Sequence, residues 1–76
     1  MPLSTKQLRE HLAETEQHVA ETKVHVACQR QIIKELANKE PLREEAVQML
    51  AILEDTLRIL EQHCGLIRSW LKERAN

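Results

Sequence analysis

Histidine and cysteine are the side chains of this sequence best suited to chemistry, and three of its four histidines keep a fixed interval: His11, His18 and His25 lie seven residues apart. On an α-helix that interval places them on one face, ~10.5 Å from one to the next, too far for neighbours to share a metal ion. The fourth, His63, lies in the second half of the chain. If the chain folds back on itself, a cross-helix pair of His18 and His63 would hold zinc or copper once a two-fold axis supplied a second pair, or once Cys64 turned inward. The plainer expectation is a polar flank of histidines bonded to each other or to Thr15 and Thr22, which fixes register and partner choice at some cost in stability. Neighbouring imidazoles would also make such an interface sensitive to pH. No bound metal and no cofactor are expected.

Cys28 and Cys64 are too few for the disulfide framework of a small secreted domain. Catalytic groupings are missing: there is no HExxH, no Cys/His/Asn arrangement and no glycine-rich phosphate loop, and the single glycine, Gly65, falls inside a helical pattern. An enzyme is not expected.

The elements that must position these residues are two helices. Charged residues make up 30% of the 76-residue chain, Phe and Tyr are absent, and helix-favouring Ala, Leu, Glu, Gln, Lys and Arg dominate. Ser4 and Gln7 have the spacing of a capping box, flanked by Leu3 and Leu8 as a hydrophobic staple, so helix one should begin at about Thr5. A seven-residue repeat follows. Leu12, Val19, Val26 and Ile33 take position a; Leu8, Thr15, Thr22, Gln29 and Leu36 take d; the histidines and Ile32 take g. A sustained period of seven means a left-handed supercoiled seam.

The second half carries its own frame, with Leu50, Leu57, Cys64 and Leu71 at a and Ala46, Leu53, Leu60 and Ile67 at d. The two frames are out of phase, and Asn38, Lys39, Glu40 and Pro41 sit at the break. Asn tolerates a left-handed C-cap and Pro suits the first turn of a new helix, while Glu44 and Glu45 favour its positive end. The expected fold is all-α: a single domain over residues 1–76, with helix one over 5–38, a turn at 38–41 and helix two over 41–74, packed as an antiparallel coiled-coil hairpin. A single kinked helix is the rival arrangement.

Folding back pairs the layers. Leu8 meets Leu71, Leu12 meets Ile67, Thr15 meets Cys64, Val19 meets Leu60, Gln29 meets Leu50 and Ile33 meets Ala46, every a facing a d. That register separates Cys28 from Cys64 by ~20 Å along the hairpin, well beyond the ~7 Å between Cα atoms that a disulfide tolerates, so two small, partly buried thiols are expected. On the g flank it sets His11 by Trp70, His18 by His63 and His25 by Thr56. On the e flank it sets Lys23 by Glu54, but also Glu16 by Glu61 and Arg9 by Arg68.

Helix two is apolar beyond its seam. Ile52, Ile59 and Leu66 at c, with Met49, His63 and Trp70 at g and Ile32 on the matching side of helix one, widen the apolar arc to roughly 160°, more than one partner helix covers. These residues form the expected interface, closing two hairpins into a homodimeric four-helix bundle. A groove for an effector's helix, as in a small regulator, is the alternative. A scatter of exposed hydrophobes is the bland one.

The formal net charge of −1, the mixed signs and the lack of stacking aromatics argue against nucleic acid. No run approaches the ~18–20 apolar residues of a membrane span, and a lipid-surface helix would carry more Lys and Arg on its polar face. The opening residues do not read as a secretory signal, so a cytoplasmic location is expected.

The stretch HLAETEQHVAETKVHVACQRQIIKEL, a turn, and then AVQMLAILEDTLRIL resembles a family of short uncharacterised proteobacterial proteins. The likeness rests on His11–Ala13, Arg30–Leu36 and Ala46–Leu57 and covers residues 8–60. Its members usually turn through Gly and Asp where this chain has Asn38 to Pro41, and end in a more charged tail than one with Cys64 and Trp70. The resemblance implies the helical hairpin and carries no activity.

Overall fold

A computed structural model describes residues 3–75; Met1, Pro2 and Asn76, which the expected 1–76 domain includes, lie outside the described residues. The described residues form two helices, α1 over Thr5–Leu36 and α2 over Leu42–Ala75, packed antiparallel, and contain no strand. The body measures 55 × 18 × 15 Å.

Helix α1 starts where the capping box places it. The Ser4 hydroxyl accepts from the Gln7 amide at 3.0 Å and the Ser4 amide donates to Gln7 Oε1 at 2.9 Å. It ends two residues before the expected boundary. Leu36 is the last half-buried d residue, and the chain leaves the seam immediately after it, with Ala37 at φ 41°. The positive-φ position therefore falls on Ala37 and not on Asn38, because the turn is fixed by the end of the apolar seam more than by local preference.

The Lys39 amide donates to the Leu36 carbonyl at 2.7 Å, and the Glu40 carboxylate accepts from the Glu44 amide at 3.3 Å, capping α2. The expected start of α2 at Pro41 moves to Leu42. Glu44 and Glu45 in its first turn, and Lys72 and Arg74 in its last, complement the helix dipole.

The heptad frame accounts for burial. Every a and d residue of both helices except Arg74, in the last turn of α2, is buried or half-buried, whereas nearly every residue at the other five positions is exposed. Ile67 is fully enclosed, with Leu8, Val26, Ala46 and Cys64 close to it in burial. Thr15 and Thr22 are also buried; the Thr15 hydroxyl donates to the His11 carbonyl at 2.8 Å, so its own helix satisfies it. Gln29 Nε2 donates at 2.9 Å to the carbonyl of Ala46, the one an α-helix aims at the amide of Leu50, which agrees with the Gln29–Leu50 layer.

Candidate functional site

The surface that stands out is the g side of the hairpin. From α2 it receives Ile52, Ile59 and Leu66 at c and Met49 and Trp70 at g; from α1 it receives Ile32. All six are exposed, Ile52 to 61% and Ile59 to 60%, because position c points away from a single partner helix. The structure thus brings together the apolar residues singled out from the sequence, with His63 half-buried among them. Leu42 belongs to the same column, seven residues before Met49, and is 56% exposed. Sequence reasoning missed it by starting the apolar register of α2 at Ala46; the heptad interval to Met49 was the available signal.

Glu45 and Glu73 end the c column of α2; between them, no Asp, Glu, Lys or Arg occupies the ground from the g column of α1 to that column. The charges flank it, with Glu14, Glu21 and Glu35 at c on α1 and Asp55 and Arg58 on the far side of α2, the latter two joined at 3.2 Å.

The histidine column is corrected in one respect. His63 pairs with His11, not His18, with Nε2 to Nε2 at 2.8 Å and the rings edge-on, centroids 4.9 Å apart. Stepping by sevens along both helices then sets His18 across from Thr56, His25 from Met49 and Ile32 from Leu42. The expected bonds from imidazoles to Thr15 or Thr22 do not form: Thr15 bonds the backbone of His11, and no hydrogen bond joins a histidine ring to Thr22. Among the described residues, no three His, Cys, Asp or Glu side chains converge as a metal site.

The e flank is corrected too. Glu16 meets Arg68 at 3.0 Å and Arg30 meets Glu54 at 3.1 Å, while Lys23 and Glu61 line the same shallow groove as Glu16 and Arg68. The like-charged contacts Glu16–Glu61 and Arg9–Arg68, and the Lys23–Glu54 contact, give way to this complementary set. The two flanks are displaced by one heptad in opposite directions, so the seam between them has not slipped. A slip would have moved both the same way.

Both cysteines are free, Cys28 exposed and Cys64 buried in the seam, so the expectation of two partly buried thiols holds for neither. No helix among the described residues is long and apolar enough to cross a membrane. No family model matches the chain, and no curated protein or solved structure matches it.

Proposed function

We propose that this protein is a non-enzymatic structural or interaction module whose working unit is a pair of hairpins, joined through Ile32, Leu42, Met49, Ile52, Ile59, Leu66 and Trp70 into a four-helix bundle. The observation that carries this is the apolar face left uncovered along α2, free of charge between Glu45 and Glu73. Monomers rarely expose a contiguous apolar patch beyond a few hundred Å², and the cores of protein interfaces are depleted in charge in the same way.

Surface area supports a second copy as the occupant. A compact monomer of 8.9 kDa exposes about 4,800 Å². This chain exposes 5919 Å². The excess, roughly 1,100 Å², is of the size that one partner of a standard interface buries, about 800 Å². Few side chains of the hairpin are enclosed, and small helical domains commonly gain the missing core by association. A copy of the same chain brings a matching apolar stripe of equal length.

Size-exclusion chromatography with light scattering tests this. A dimer mass in the micromolar range is expected; a monomer persisting to millimolar concentration would refute it and turn attention to a foreign helix.

A further inference from the structure

His11 and His63 come from opposite ends of the chain, yet their Nε2 atoms are 2.8 Å apart across the two helices. As a hydrogen bond, the contact needs one ring protonated at Nε2 and the other at Nδ1. The same spacing suits another occupant. Two imidazole nitrogens bound at 2.0–2.1 Å to one metal lie about 2.9 Å apart when cis in tetragonal coordination, and about 3.4 Å apart in tetrahedral coordination. Tetragonal nitrogen sites are characteristic of divalent copper and nickel.

We propose that His11 and His63 form a two-imidazole chelate for a divalent late first-row metal of the copper or nickel class. On binding, both rings carry their proton on Nδ1, and the metal takes the place of the shared hydrogen between the Nε2 atoms. Water completes the coordination, since no third protein donor converges there among the described residues. The fold pre-positions the pair: the seam residues Leu12, Thr15 and Cys64 next to them are buried or half-buried, so the backbone separation of the two histidines is held by packing. His11 is exposed and His63 half-exposed, which leaves the rings room to turn their lone pairs toward one ion. Arg9 stands two residues before His11, on the e flank, while Glu10 and Glu14 lie within one turn of His11 and Glu61 within one turn of His63, so acidic residues outnumber basic ones around the pair and the local charge favours a cation. His18 and His25 face Thr56 and Met49 in this register and lack a second imidazole across the groove.

The chelate draws both donors from one chain but lies on the face that the proposed bundle covers, so the titration is run on Ile59→Glu as well as on the wild type, and a failure of binding in both separates this proposal from that reading. The test uses Ni²⁺ alone, which unlike Cu²⁺ is not reduced by the exposed Cys28 thiol, added to tag-free protein at neutral pH in a calorimeter. Saturable binding at no more than one ion per chain is expected. The substitutions His11→Gln and His63→Gln should each weaken it at least tenfold, whereas His25→Gln should leave it unchanged, with helix content checked by circular dichroism. The melting temperature of the wild type should rise on adding Ni²⁺, and that rise should vanish in either pair variant. Absence of saturable binding, binding unaffected by both pair variants, or an equal loss in His25→Gln would each overturn the site.

Discussion

Replacing Ile59 by Glu separates the folding of the hairpin from its pairing. In a lone hairpin the residue is 60% exposed, so the change removes little packing. Glu is at least as good a helix former as Ile, and surface substitutions of this kind usually fall within about 0.5 kcal/mol. In a four-helix bundle the uncovered part of Ile59 is buried. Fully burying an Ile side chain is worth about 1.5–3 kcal/mol, so the exposed share is worth about 1–2 kcal/mol per copy. Two-fold symmetry doubles this to about 2–4 kcal/mol, which raises the dissociation constant roughly 30- to 1,000-fold. Burying two carboxylates adds to that figure.

Sedimentation equilibrium over a hundredfold concentration range measures the constant, and the melting temperature followed over the same range gives an independent reading. A self-associating wild type melts at higher temperature as its concentration rises; the monomeric variant does not. Self-association through this face is refuted if Ile59→Glu dimerises as tightly as the wild type. It is refuted equally by a wild-type melting temperature that stays flat with concentration alongside a monomer mass.

Exchanging charges tests the corrected e flank. Glu16→Arg should cost about 0.5–1 kcal/mol against Arg68, and adding Arg68→Glu should restore most of it; a double-mutant cycle in urea with no coupling would contradict the Glu16–Arg68 pair. Cys28 should react with a thiol reagent within the mixing time and Cys64 only as the protein unfolds; mass spectrometry of a brief labelling pulse should therefore find a single adduct, on Cys28. Gly65 lies within α2 with nothing inside 4 Å of the position its Cβ would take, so Gly65→Ala should stabilise the protein by about 1 kcal/mol in thermal unfolding; a loss would show that a neighbouring copy approaches the backbone there.

The seam was fully legible in the sequence because it follows from a single number, the heptad period. That period assigned Leu8, Val26, Ala46, Cys64 and Ile67 to the interior, and Ser4 with Gln7 marked the start of α1 from local chemistry. The exposed apolar face was legible for the same reason, since position c cannot reach a single partner helix. The turn was less so. Asn38 is the residue whose intrinsic preference suits a positive φ, but Leu36 ends the core and the chain has to depart at Ala37. Tertiary packing outweighs a local preference of about 1 kcal/mol.

The flanks show where periodicity stops being informative and chemistry has to decide. Each flank residue lies between two candidates on the other helix, a heptad or ~10.5 Å apart, and the core register leaves the choice open. On the e flank the answer was in the charges: one choice gives Glu16–Arg68 and Arg30–Glu54 with Lys23 across from Glu61, while the other gives one opposite pair, Lys23–Glu54, and two like pairs, Glu16–Glu61 and Arg9–Arg68. Weighing charge above axial proximity would have found it. On the g flank both choices contain one His–His contact, His18 with His63 or His11 with His63, and the formal charges do not distinguish them. Only the three-dimensional packing selects His11, and the selection matters for chemistry. It puts the two imidazoles near the end of the hairpin away from the turn, beside Leu66, with Thr56 and Met49 left opposite the other histidines. A metal that distinguishes His11→Gln from His18→Gln would therefore report on the register of the helices as well as on its own ligands.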